Sequence, residues 1–215
     1  MKITILCSSE KHPVNNMLTE WIHRNNKNHD IQLARKKTEL SGGDLLFLIS
    51  CSEIISIPER NKFKKTLIVH ASDLPQGRGW SPHVWEIING AMGITVSLLE
   101  AEDNVDSGDI WKKLHITIPP HALHDEINDL LFTAEAELMD YAVDNFFTIH
   151  PQKQSAEIEA TYYPRRTESD SELDPHNSIS SQFGLIRVCD PARFPAFFML
   201  HGHKYKLTLE KVKDE

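Results

Sequence analysis

The sequence predicts an α/β fold with a mostly parallel, twisted sheet, and three observations lead there. Short, nearly all-apolar runs (Ile3 to Leu6, Asp44 to Ser50, Thr66 to His70) read as strands buried on both faces. Between the first two, residues 13–26 carry Val14, Met17, Leu18, Trp21 and Ile22 at the i, i+3, i+4, i+7, i+8 spacing of an amphipathic helix. Strands that alternate with helices along the chain pair in parallel through right-handed crossovers, a Rossmann-like arrangement.

In order, residues 2–8 form the first strand, 13–26 a helix, 30–35 a short second strand, and 44–50 and 66–70 the third and fourth. A helix starts at Ser81-Pro82, with Ser as N-cap and Pro at the first helical position, and ends near Asn89-Gly90. Residues 93–100 and 109–118 are two more strands. The connection 101–108 is too short for a crossover helix, so they pair antiparallel, near the C-terminal side of the sheet. Pro119-Pro120 stops the second, and a long helix fills about 122–147, with the apolar stripe Leu123, Ile127, Leu130, Leu131, Ala134, Leu138 and Tyr141. Residues 151–177 are polar, an extended connection or a domain edge. Residues 178–189 suit a short helix and 196–212 a β-hairpin around His201-Gly202. The chain thus divides into a main domain, 1–150, and a small C-terminal extension, 151–215, of a helix plus a β-hairpin.

Twenty-three basic against 31 acidic residues leave a net charge of −8, which argues against a nucleic-acid partner, since that normally needs a clustered basic face. No apolar run approaches the ~18–20 residues that cross a bilayer, so no membrane association is expected. Met1 to Leu6 reads as a strand rather than a secretory signal, and the expected location is cytoplasmic. Cys7, Cys51 and Cys189 are scattered without a C-x-x-C pair, as for reduced, buried thiols. The 12 histidines show no metal-ligand spacing, so no metal is expected. No G-x-G-x-x-G follows the first strand, which leaves a dinucleotide cofactor unsupported.

In parallel sheets ligands sit beyond the carboxyl ends of the strands. Three segments lie there: Cys7-Ser8-Ser9, Ser50-Cys51-Ser52 and His70-Ala71-Ser72. Behind His70 runs an irregular loop with Pro75, Gly77, Gly79 and Pro82, in which Arg78 is flanked by two glycines, so that a ligand can come close to backbone and guanidinium. Downstream, Ala101 to Asp109 carries Glu102, Asp103, Asp106 and Asp109. A strand-end histidine and a loop carboxylate are a minimal apparatus for moving protons. By residue types alone, a structural histidine and a solvated turn account for them equally well.

The two segments together, His70-x-Ser72-x-Leu74-Pro75-x-x-Arg78-Gly79-Trp80-Ser81-Pro82-x-x-Trp85-x-Ile87-x-Asn89-Gly90 and then Val105-Asp106-Ser107-Gly108-Asp109-Ile110-Trp111, resemble the folate-dependent formyltransferase family. The resemblance covers residues 1–150, and residues 161–200 are similar to the segment that follows the catalytic domain in its tRNA and sugar enzymes. It implies the formyltransferase fold and transfer of a formyl group from N10-formyltetrahydrofolate to an amine. The wording around Arg78 to Trp85 is most like the nucleotide-sugar N-formyltransferases, of the type acting on 4-amino sugars such as pseudaminic acid precursors. The implied substrate is a nucleotide-linked amino sugar.

The resemblance makes His70 and Asp106 catalytic. It places the folate against Ile49, Ser50, Cys51, Glu102, Asp103, Val105 and Asp106, and the acceptor against Ser72, Arg78, Gly79, Trp80 and Pro82. The family's asparagine, two residues before the histidine, falls on Ile68, which has no hydrogen bond to give. Three alternatives stay open: a methionyl-tRNA type of formyltransferase, a carrier-protein type, and a catalytically impaired relative that binds folate or a nucleotide. The aromatic segment Phe194 to Phe198 offers a homodimer interface, or simply core packing.

Overall fold

A computed structural model describes residues 1–212 of the chain. The elements are β1 (Lys2–Leu6), α1 (Asn15–Asn25), β2 (Asp30–Ala34), β3 (Gly43–Leu48), α2 (Ile57–Arg60), β4 (Phe63–His70), β5 (Arg78–Gly79), α3 (Pro82–Ile88), β6 (Gly93–Glu100), β7 (Ile110–Thr117), α4 (His124–Asn145), β8 (Tyr162–Tyr163), β9 (Glu172–Leu173), α5 (Phe183–Val188), β10 (Ala196–Leu200) and β11 (His203–Leu207). The main sheet has the order β2-β1-β3-β4-β6-β7. Its first four strands are parallel. β6 then runs antiparallel to β4, and β7 antiparallel to β6. The expected mostly parallel sheet with antiparallel strands toward its C-terminal side is the one observed.

One face of the sheet packs Ile3, Ile5, Leu45, Phe47, Leu67 and Leu98 against α1 and α4. Burying each such side chain is worth about 1.5–3 kcal/mol. Trp21 of α1 is buried there, edge-on to Phe47, and its indole N–H donates to Asp140 of α4 at 2.7 Å. The other face carries a smaller cluster of Leu6, Leu46, Leu48, Ile55 and Phe63, with Cys51, Ile68 and Ala101 at its edge. That edge positions the site.

Several sequence expectations shift. Ser81 does not cap α3. It sits in the left-handed region, φ 47°, and its side chain makes no capping bond, so the helix begins at Pro82 without it. Leu130 is 36% exposed and drops out of the α4 stripe, whose buried face runs through Leu131, Ala134, Leu138, Met139 and Ala142. β4 begins three residues earlier than expected. Its lysines reach sideways to carboxylates, Lys64 to Asp44 at 2.7 Å and Lys65 to Glu100 at 2.6 Å, which lets them occupy an otherwise apolar strand. The short helix α2 was not foreseen, although Ser56-x-x-Glu59 is a capping box: Glu59 accepts the Ser56 backbone N–H at 3.0 Å.

The hairpin β10–β11 turns on His201 (φ 50°) and Gly202 (φ 78°), the two positive-φ residues that a tight two-residue turn requires. β10 also pairs with β9. Phe197 is buried, and Phe198 stacks on Tyr205 with ring centroids 5.4 Å apart. All three cysteines are free thiols, Cys7 and Cys189 buried and Cys51 half-buried. No helix among the described residues is long and apolar enough to cross a membrane.

Candidate active site

His70 is the last residue of β4, and Asp106 lies on the loop between β6 and β7. Both are buried, 8% and 6% exposed, with His70 Nδ1 3.6 Å from Asp106 Oδ2. The other ring nitrogen, Nε2, lies 2.8 Å from the Gly77 carbonyl. A carbonyl only accepts, so Nε2 carries a hydrogen and the neutral ring presents the lone pair of Nδ1 toward Asp106. A proton arriving at Nδ1 therefore meets a carboxylate.

The carboxylate itself is fixed. The Gly79 N–H donates to Asp106 Oδ2 at 2.9 Å. Asp106 has φ 53°, a left-handed conformation that costs a non-glycine residue about 1–2 kcal/mol. Gly108 explains part of the loop's shape: a Cβ there would lie 1.9 Å from the Glu100 carbonyl oxygen, so the chain crosses its own strand at a distance only glycine allows. Glu100 anchors the base of the loop through Lys65 and through the Trp111 indole N–H, which donates to it at 3.0 Å.

β6 runs antiparallel to β4 with Leu67 opposite Glu100, and the Ala101 N–H donates to the Thr66 carbonyl. The loop 101–109 thus starts at the middle of β4 and climbs back across the sheet face to reach His70. At the edge of the smaller core cluster, Ile68 of β4, Ala101 from the start of this loop and Cys51 from the segment after β3 pack against the same buried residues. Thr66, on the same strand face as Ile68, has a buried Oγ1 without a partner.

The expected folate residues fall on two segments. Ser50 (φ 47°) and Cys51 follow β3, and Glu102, Asp103, Val105 and Asp106 lie on the loop between β6 and β7. Ile49 offers only backbone, since its side chain is in the core and its N–H donates to the Leu6 carbonyl. Asp103 is held by Arg60 of α2 at 2.5 Å, while Val105 is exposed. Burial pushes the Cys51 thiol up, away from reactivity.

The expected acceptor residues divide. Arg78 and Gly79 lie beside Asp106, and Trp80 is exposed with the Arg165 guanidinium 4.9 Å from its ring. Ser72 is fully buried. Its carbonyl accepts the Ser97 hydroxyl at 2.7 Å, and its own Oγ has no partner. Pro82 is also buried. Sequence reasoning missed two groups on α3. Burial pushes the His83 imidazole down to about 4, and burial together with Asp73 lifts the Glu86 carboxyl to about 7. It also missed the strap 152–164. There β8 pairs with β5, Thr161 Oγ1 accepts the Gly77 N–H at 2.8 Å, and the Pro164 carbonyl accepts the Trp85 indole N–H at 3.1 Å. Its signals were the resemblance that begins at residue 161 and the Thr161-Tyr162-Tyr163 run, a strand-like triplet in a polar segment, and neither indicated which loops it would bind.

The formyl transferase family model matches residues 3–143. The chain belongs to that family. Among curated proteins, the methionyl-tRNA formyltransferase of Thermodesulfovibrio yellowstonii is 30% identical over 163 residues, covering 74% of this chain and 50% of that protein. The chain spans about half the length of the curated relatives it matches.

Three solved structures share the fold. A methionyl-tRNA formyltransferase from Clostridium thermocellum superposes with TM-score 0.84 at 22% identity, covering 99% of this chain and 94% of that one. HypX from Aquifex aeolicus in complex with tetrahydrofolic acid gives 0.79 at 20%, covering 95% and 36%. A 4-N formyltransferase from Francisella tularensis gives 0.71 at 17%, covering 99% and 98%. The main sheet and its helices are the formyltransferase fold. Among the described residues, no group of three or more His, Cys, Asp or Glu is placed to hold a metal ion.

Proposed function

We propose that this protein transfers a formyl group from N10-formyltetrahydrofolate to the amine of a nucleotide-linked amino sugar. The observation that carries the reading is His70 Nδ1 facing Asp106 at 3.6 Å, its tautomer set by Gly77, on the same face of β4 as Ile68. The apolar edge formed by Cys51, Ile68 and Ala101 suits a pterin ring, and Thr66, on the same face of β4 as Ile68, has an unpartnered Oγ1. When bound, the donor supplies a formyl carbon attached to nitrogen.

The protein's own residues handle the protons. An attacking amine must be neutral and must shed a proton as the new C–N bond forms, and Nδ1 of His70 is the base that takes it. Asp106 stabilises the resulting imidazolium, and the Gly79 N–H keeps the carboxylate in place. The same proton passes to N10 as the old C–N bond breaks, so protons balance over the turnover.

For the acceptor, the rim beside Asp106 holds exposed Trp80 and Tyr162, with Arg165 and Arg78 against their rings. Flat faces for a base next to guanidinium groups for phosphates match a sugar nucleotide. The net charge of −8 suits a small anion better than a polyanion. A methionyl-tRNA acceptor is the second reading, favoured by the 30% identity to a methionyl-tRNA formyltransferase. The test is incubation with the formyl donor and either a panel of amino-sugar nucleotides or methionyl-tRNA. Mass spectrometry then looks for a product heavier by one formyl group. Formylation of tRNA and of no sugar nucleotide would reverse the choice.

A further inference from the structure

We propose that Gln154 is a positioning residue that holds Asp106 within reach of His70. Asp106 occupies a left-handed conformation, so something outside the loop must keep it there. The Gln154 side-chain NH2 donates to the Asp106 carbonyl at 2.8 Å and to the Gly108 carbonyl at 3.0 Å, straddling the strained peptide. Its Oε1 accepts from Arg78 Nη2 at 2.7 Å. The orientation of the amide is unambiguous, because carbonyls only accept and a guanidinium only donates. One side chain therefore ties the loop carrying Asp106 to the loop carrying Arg78 and Gly79, the residue whose N–H holds the Asp106 carboxylate.

Gln154 is itself anchored. Two residues earlier, Gln152 pairs with Ile110 at the base of the Asp106 loop, with both bonds made at 2.7 and 2.9 Å. On the other side, the Arg78 N–H donates to the Thr161 carbonyl at 2.9 Å. The family match ends at residue 143, so this anchor comes from the strap beyond it. No other amide in the strap bonds to both loops at once. Glutamate in its place would keep the size and the Arg78 contact but would turn carboxylate oxygen toward two carbonyls.

The test compares Gln154→Glu and Gln154→Ala with wild type by two readouts. One is hydrogen exchange of the Gly79 amide, followed by NMR. The other is kcat and KM for formyl transfer, which rests on the function proposed above. In both folded variants the Gly79 amide should exchange roughly tenfold faster, since its acceptor is no longer held. The value of kcat should fall roughly tenfold or more as the base and its partner lose register, while KM for the formyl donor stays within about twofold. Wild-type Gly79 exchange in both variants would overturn the proposal, as would loss of kcat and KM in equal measure with the lowered melting temperature of a general packing defect. If wild type transfers no formyl group to any acceptor, the functional reading fails while the exchange measurement still decides the role of Gln154.

Discussion

Replacing Ile68 with Asn puts an amide where the resemblance to the formyltransferases expects one, and the two opposing effects can be sized. Ile68 lies two residues before His70 on the same strand face, about 6.6 Å away along β4. It is half-buried against the smaller core cluster that contains Leu6, Leu46 and Leu48. Full burial of an isoleucine is worth about 1.5–3 kcal/mol, so losing a half-buried one costs roughly 1–1.5 kcal/mol. In a chain of this length that lowers the melting temperature by about 2–6 °C. Against this, one well-placed donor at a developing oxyanion is worth about 10²–10³ in kcat. An amide on the His70 face of β4 should therefore raise kcat by roughly tenfold or more in a slightly less stable protein. The assay pairs a thermal melt with single-turnover formyl transfer. A melting temperature that falls by that amount, with kcat unchanged or lower, would refute the claim that the reacting oxygen sits over position 68.

Other expectations follow from the same geometry. His70→Asn should cut turnover by about 10²–10⁴, the usual worth of a positioned proton-transfer group, with the melting temperature lowered only a few degrees; retention of most activity would remove His70 from the chemistry. Gly108→Ala drives a methyl toward the Glu100 carbonyl at 1.9 Å, so the loop must move and overpacking costs about 1–3 kcal/mol. Turnover should fall with it, and a crystal structure showing loop 101–109 unmoved would count against this account. Glu135 is buried on α4 with Oε2 unpartnered, and burial lifts its carboxyl to about 8 from 4.5. Below pH 4.5 both folded and unfolded chains hold the proton. From there up through 8 only the folded one does, so stability drains away as pH rises. Glu135→Gln should therefore gain melting temperature over wild type between pH 5 and pH 8, and a gap independent of pH would contradict it.

The sheet was legible because its strands are buried on both faces and read as unbroken apolar runs, as Leu45 to Ile49 does. The antiparallel pair was legible from connection length alone. Ser81 misled because Ser before Pro is the usual sign of a cap, yet here the backbone turns left-handed instead. His70 and Asp106 stood out only through the long gapped motif that contains them. Nothing local distinguishes Asp106 from its acidic neighbours until the fold sets it against the Gly79 amide. The strap was the least legible part. Gln154 is one polar residue in a polar stretch, and its three partners lie 46–76 residues away in sequence. Ser72 and Pro82 belong to the motif but end up buried, supporting the loop's shape from beneath.

The reversal of β6 against β4 has a consequence for how the site responds to change elsewhere. His70 rides on one of these strands, and Asp106 hangs from the far end of the other. Their separation is thus set by the twist between two strands whose opposite face is the main core. Trimming Leu67 or Leu98 alters that twist from below without touching either group. In the proposed reaction this pair works as a gauge of packing: a substitution deep in the core should show up first as a change in rate, well before the protein loses its fold.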